Sequence, residues 1–496
     1  MTAPLILGTN SIKDTSYDVA NSVRMNIGSS DHFERTPSSA VTGERKKFTV
    51  SCWVKRSVLG GEQAIISAGN GAGSEEFEIV FNSDNTLQVK HDDASSVVHQ
   101  LVTKMKFMDT AAWFHIVYVY DSANATEALR ARLFVNGVEL TNANSDFSTY
   151  NAVSSNDLTP MNVDERHHVG STSFDSGGSG ASFFGGYMAE FYQTAGQANI
   201  ASVFGEYDSD SPTIWKPKDP SGLSFGTNGF YLDFEDSSNL GKDVSGNTNN
   251  FTVDNLTSID QSTDTCTNNA VTFTANHPTF SNFTVTEGGL KVAKSGSGTF
   301  GLYGSSIMLS SGKWYWEVKF TADAGSDRTR AGIAAYDSVT GTSTIQDSYS
   351  GFEFTCTTSG RFSFTVAGGS ATEINGFNGY STGDIIRFAL DMDNSKLYIG
   401  RNSDWFNYSS SATGGDPTSG SGWVLNNTTI LAAPQTIYAG HAVGVSGSSE
   451  LEFNFGATNT FTVSSGNSDG NGYGNFEFAV PSGYYAINSK NLAEYG

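Results

Sequence analysis

Apolar positions along this chain recur with a period of two, in short runs separated by glycine, asparagine, aspartate and serine. That period is the mark of a half-buried strand, and turn residues between such runs mark hairpins. Gly312–Phe320 is the clearest case. Trp314, Trp316, Val318 and Phe320 fall on one face, and Lys313, Tyr315, Glu317 and Lys319 on the other. Burying each of those apolar side chains is worth roughly 1.5–3 kcal/mol or more, so the strand needs an opposing apolar sheet. Phe48–Arg56 is a weaker counterpart in the first half. Around it the pattern predicts strands at Ala64–Ser67, Phe77–Phe81, Thr86–Lys90, Trp113–Tyr120, Arg132–Val135, Val138–Leu140 and Gly186–Tyr192. Asn136-Gly137 is the strongest short hairpin signal among them. The second half adds Arg330–Ala335, Gly351–Cys356, Gly383–Asp393, Lys396–Asn402, Glu450–Gly456 and Phe478–Tyr485. The fold class expected is all-β, two tandem antiparallel β-sandwiches, each closed around one aromatic strand.

The same pattern sets the expected boundaries. Residues 1–22 form an N-terminal arm, 23–215 the first sandwich, 216–279 a connector with extra strands, and 280–496 the second sandwich. Ala195–Tyr207 is one of the few helix-compatible stretches. Trp215–Pro220 looks like a connector, and Thr257–Thr272, rich in Ser, Thr, Asp and Asn, is the best linker candidate.

Composition reinforces the strand reading: among 496 residues there are 34 Phe, 20 Tyr, 7 Trp and 54 Gly. A net charge of −23 disfavours a nucleic-acid partner, because phosphate binding needs a basic footprint. It suits a soluble, outward-facing protein. Cys52, Cys266 and Cys356 are far apart, without a Cys-x-x-Cys pair, and are read as free thiols fitting assembly in a reducing cytoplasm. Met1–Leu7 lacks the basic residues of a secretory signal. No apolar run approaches the roughly 18–20 residues of a membrane span, so no membrane insertion is expected.

Four pieces of the first half occur in a telling order: Phe48–Arg56, the Trp-x-His strand Trp113–Asp121, the hairpin Arg132–Leu140, and the closing strand Gly186–Tyr192. Together, over roughly Val23–Tyr207, they resemble the laminin-G-like group of concanavalin A-like lectin domains. That resemblance implies a two-sheet jelly roll of a kind that often binds sugars or proteins. The second half carries Gly312-Lys-Trp-Tyr-Trp-Glu-Val318, then Gly383-Asp-Ile-Ile leading to Asp391-Met-Asp393, the returning strand Lys396–Asn402, Asn454-Phe-Gly456 and Pro481-Ser-Gly-Tyr484. These five motifs, in order, resemble the SPRY domain. The chain departs from that pattern at Trp405–Asn427, where a Gly/Ser-rich insertion replaces a short loop. SPRY ligand surfaces lie on loops, so no family ligand carries over.

The combination resembles virion structural proteins of tailed phages. It implies a tail-fibre or surface adhesin, made in the host cytoplasm and displayed on the particle. The arm would bind other virion subunits, and the loops a host-surface glycan or protein. Fibre habit implies a homo-oligomer, a trimer. The alternative is a capsid or tail decoration protein that mainly contacts other virion subunits.

The chemistry points away from an enzyme. Glycosidases need paired carboxylates. Glu75-Glu76-Phe-Glu78 and Glu450-Leu-Glu452 place two on one strand face, without the third member or flanking Trp of the Glu-x-Asp-x-x-Glu pattern, and read as solvated faces. His115, His167 and His168 lack a nucleophile motif, and His167-His168 reads as strand-end surface. Asp391-Met-Asp393-Asn394 starts like a calcium loop but reads as a hairpin turn. The lectin resemblance implies possible calcium ligands at Asp243, Asn247, Asn249 and Glu190, against a self-capping Asx turn as the alternative. For sugar, aromatic platforms are available at Trp405, Phe406, Trp423 and Tyr473, against core or inter-subunit packing.

Overall fold

The computed structural model describes residues 17–69, 75–93, 96–172, 180–274, 283–294, 302–322, 329–335, 351–355, 361–365, 372–374, 381–408, 412–441 and 449–496. Cys356 and most of the expected arm lie outside these residues. The chain divides into two compact units, with the boundary between Asn268 and Asn269. Each is an antiparallel β-sandwich, as the alternating pattern predicts.

In the first unit one sheet runs in the order Val138–Leu140, Ala131–Val135, Phe114–Asp121, Lys47–Arg56, Gly186–Ala195, Ser22–Met25, Gln261–Ser262, with Phe230–Leu232 also pairing Gly186–Ala195. The other runs Phe147–Asn151, Ser96–Lys106, Thr86–Asp93, Glu76–Phe81, Gln63–Gly69, His167–Val169, His32–Arg35, Thr252–Asp254. Phe48, Val50, Cys52 and Val54 meet Phe33, Ile66, Phe77 and Ile79 between the sheets. Asn136 and Gly137 have φ of 48° and 79°, the left-handed pair that a tight hairpin turn demands.

The Lys47–Arg56 strand buries both faces. Its outward Trp53 joins Trp113, Tyr187, Tyr192, Phe204, Trp215 and Cys266 in a second apolar layer. Late and early chain segments supply that cover. Residues 216–268, expected as a connector with extra strands, add strands to both sheets of the first sandwich. Tyr17 to Asn21 are not a free arm. Val19 is buried, and its N–H donates to Thr267 Oγ1 at 3.1 Å. Residues 195–207 hold only the 3-10 turn Ala201–Val203 before strand Gly205–Tyr207, which pairs with Trp215–Pro217. Trp215 has an apolar layer to fill, so that stretch folds back onto the sandwich.

In the second unit the larger sheet runs Phe283–Thr286, Lys291–Lys294, Ser449–Asn454, Lys313–Ala322, Ile385–Asp391, Lys396–Arg401, Asp404–Asn407, Ala412–Thr413. The smaller runs Leu302–Leu309, Gln435–His441, Thr329–Ala335, Gly351–Thr355, Arg361–Thr365, Thr372–Ile374. Trp314, Trp316, Val318 and Phe320 fill the space between them, Trp316 stacked on Phe388 at 4.9 Å. Tyr485–Ala486 lies parallel to Lys313–Ala322, and the short helix Ser489–Tyr495 follows, its Asn488 side chain accepting the Asn491 N–H. The unit is therefore closed by its last residues.

Candidate functional site

The outer face of the second unit's larger sheet carries the aromatic candidates. Cross-strand register places Asn454, Glu317, Arg387, Gly400 and Trp405 in one row, and Tyr315, Ala389 and Tyr398 in the next. Gly400 has no Cβ, and Arg387 uses the space: a Cβ there would sit 2.9 Å from Arg387 Nη2 and 3.0 Å from Nε. The guanidinium lies 4.3 Å from the Trp405 ring and 5.0 Å from that of Phe478, a cation–π sandwich. Beside it, the buried Glu317 carboxylate accepts from Tyr315 Oη at 2.9 Å, Phe478 N at 2.8 Å, Glu477 N at 3.0 Å and Asn454 Nδ2 at 3.3 Å. Burial pushes its pKa up, against the pull of those donors.

The Gly/Ser-rich insertion is folded onto this sheet. Val424 N donates to Leu397 O at 2.9 Å, Leu425–Asn426 pairs with Lys396–Arg401, and Lys396 Nζ donates to Gly420 O at 3.2 Å. Trp423 is thereby brought to the same face and lies 6.0 Å from the exposed Tyr408. Tyr473 packs against the same cluster, and its N–H donates to Asp469 Oδ1 at 3.0 Å. Trp405, Trp423 and Tyr473, half-buried, pack against buried Tyr315, Tyr398, Phe476 and Tyr484. Phe406 does not join them: strand alternation turns it into the inter-sheet core, 5 % exposed, with Val424 and Leu425. The Tyr398 and Tyr484 hydroxyls are buried and, among the described residues, have no hydrogen-bond partner. Burial and the nearby Asp391 and Asp416 push the Tyr398 phenol up to about 12. Half-exposed aromatic rings can stack the C–H face of a sugar.

The expected calcium ligands do not converge. Asp243 Oδ1 accepts from Tyr231 N and Ser245 N, each at 2.9 Å, and Oδ2 from Asn249 N at 2.7 Å and Ser245 Oγ at 2.9 Å. Asn247 and Asn249 spend their side-chain amides on the carbonyls of Gly226, Thr227 and Gly229. This is the self-capping Asx turn. Glu190 sits apart, at a β-bulge with φ of 50°. Its carboxylate accepts from Tyr17 Oη at 2.8 Å, Tyr231 Oη at 2.9 Å and Tyr192 Oη. Among the described residues, no group of three or more His, Cys, Asp and Glu is disposed to hold a metal ion.

Sequence reading missed a second feature, on the outer face of the first unit's other sheet. Thr252, Glu34, His168, Ser67, Glu78, Lys90, Gln100 and Asn151 stand directly opposite one another in turn, a polar row across the whole sheet. Only strand register assembles it, and register is not written in spacing. His167 and His168 are buried, not strand-end surface. His168 Nε2 lies 3.2 Å from Glu34 Oε2 and its Nδ1 3.0 Å from Ser171 Oγ. The series resembles a charge-relay geometry, but the Ser171 side chain is sealed from solvent, where a nucleophile cannot meet substrate. Glu78 is paired with Lys90 at 3.2 Å, and Glu450 and Glu452 with Lys291 at 2.8 and 3.7 Å, so these carboxylates are neutralised locally.

No curated protein matches the chain. Among solved structures, the SPRY domain of human HERC1 is 14% identical, over 36% of this chain and 94% of that one, with a TM-score of 0.27. Mouse laminin alpha1 chain domains LG4-5 are 9% identical, over 86% and 84%, at 0.29. The Ruminococcus gnavus IT-sialidase CBM40 is 14% identical, over 37% and 96%, at 0.25. Within the first sandwich, residues 28–192 match the family model of the concanavalin A-like lectin/glucanases superfamily.

Proposed function

We propose that this chain is a non-enzymatic structural protein of a tailed-phage virion, a tail-fibre or surface adhesin that holds a host-surface glycan. The observation that carries the reading is the aromatic face of the second sandwich. Trp405, Trp423 and Tyr473, half-buried, all pack there against one buried aromatic cluster. The lectin-type match of the first sandwich supports the same class of ligand. In this reading the N-terminal residues attach the chain to neighbouring virion subunits.

The test is a glycan array with the full chain, followed by calorimetry on Trp423→Ala. Stacking one sugar on one ring is worth about 1–1.5 kcal/mol, so the variant should bind about tenfold more weakly. An array without binding, together with particle images in which both sandwiches are covered by virion subunits, would replace the adhesin with a decoration protein.

A further inference from the structure

Lys55 Nζ lies 2.8 Å from Asp264 Oδ2, and each side chain is 1% exposed. Lys55 stands on the outer face of the Lys47–Arg56 strand opposite Tyr187, with its Nζ 5.6 Å from that ring. Asp264 comes from the last segment of the first unit, 209 residues away. Its other carboxylate oxygen, Oδ1, accepts the Trp113 indole N–H at 3.2 Å. Its main chain is pinned on both sides: its N–H donates to Ser262 Oγ at 2.9 Å, and its carbonyl accepts from Ser22 Oγ at 2.6 Å. An amine and a carboxyl are thus held in contact, out of water, by groups that fix both.

Two features of this geometry bear on reactivity. An amine hydrogen-bonded to one carboxyl oxygen stands about 3–3.5 Å from the carboxyl carbon, the separation of a near-attack arrangement. The Trp113 N–H points at the oxygen on which negative charge develops when that carbon is attacked.

We infer that Lys55 and Asp264 condense to an intramolecular isopeptide bond. The ammonium first passes one proton to Oδ2. The Nζ lone pair then attacks Cγ, forming the C–N bond and placing the negative charge on Oδ1, against the Trp113 N–H. A second proton moves from Nζ to the Oδ2 hydroxyl, the C–Oδ2 bond breaks, and water leaves as the carbonyl re-forms. No oxidant, cofactor or second chain is consumed. The bond ties a central strand of the first sheet to the segment bearing its two-residue edge strand, Gln261–Ser262. That segment otherwise has little ladder pairing to hold it.

The experiment is intact-mass spectrometry of the denatured full chain, with a digest. The expected wild-type mass is one water below the sequence mass, and the digest yields a branched peptide joining Lys55 to Asp264. Lys55→Arg keeps the charge and the hydrogen bond but lacks the nucleophilic amine, and should return to full mass. A wild type at full mass overturns the inference, whether or not Lys55→Arg folds. A one-water deficit that persists in Lys55→Arg, with no branched peptide, assigns the dehydration elsewhere and overturns it equally.

Discussion

Replacing Glu317 with Gln tests whether the cover on the second sandwich is held by one carboxylate. Glu317 is fully buried, and each of its oxygens takes two donors: Oε1 from Tyr315 Oη and Phe478 N, Oε2 from Glu477 N and Asn454 Nδ2. Gln has the same shape but only one acceptor oxygen. If that oxygen keeps the Oε1 pair, the new NH2 group faces the Glu477 N–H and the Asn454 amide. If it keeps the Oε2 pair, the Tyr315 hydroxyl can turn to accept, but the Phe478 N–H meets a donor. Either way at least one buried backbone N–H loses its partner, about 1–3 kcal/mol, and a charge-assisted bond to the survivor is weakened by about 1 kcal/mol. The expected cost is therefore about 2–4 kcal/mol, read as a lower urea midpoint at constant slope in the transition of the second unit. Amide hydrogen exchange localises it, with Glu477 and Phe478 losing protection while Trp316 keeps it. A loss below about 0.5 kcal/mol with unchanged exchange at those two amides would refute the reasoning, since surface-like sites fall in that range.

Three further outcomes are expected. Gly400→Ala puts a methyl 2.9 Å from Arg387 Nη2 and 2.8 Å from the Asp404 carbonyl. It should cost about 1–3 kcal/mol in urea unfolding and shift the fluorescence of the Trp405 it displaces; an unchanged midpoint would contradict the stacking described. Burial holds the Glu190 carboxyl above its ordinary value of 4.5. Stability from this group is thus present below that value and lost as pH rises through the folded one. Wild type compared with Glu190→Gln should hold its largest advantage in acid and lose it towards neutrality; an advantage that grows with pH reverses the sign. Chelation with EDTA should leave the melting temperature of the first sandwich unchanged, because the Asp243 oxygens already accept from four donors. A fall reversed by added Ca2+ would restore the metal reading.

Much of the fold was legible because period-two alternation is a local property. Trp314, Trp316, Val318 and Phe320 point into the core as their spacing requires. What alternation did not reveal is that the opposite face is buried too. Tyr315 and Glu317 look like an exposed set until Phe476, Tyr484 and Ala486 cover them, and those residues lie some 160 positions away in sequence. The candidate site was partly legible for the same reason. Trp405 and Trp423 stood out as large rings in a polar insertion, but one strand position decides that Trp405 faces out and Phe406 faces in. The calcium expectation came from a motif, and the turn motif is real. It consumes its own carboxylate, which only the hydrogen bonds reveal.

The late cover on each sandwich has a consequence for synthesis. The central strands of each unit leave the ribosome before part of their outward cover: the cover ends near Asn268 in the first unit and runs through Tyr485–Ala486 in the second. Pairings of such long sequence separation form slowly. A nascent chain stalled in either interval presents Trp53 and Trp113, or Tyr315 and Tyr398, to its neighbours on the polysome. Those rings therefore stay exposed for the interval that separates each strand's synthesis from that of its cover.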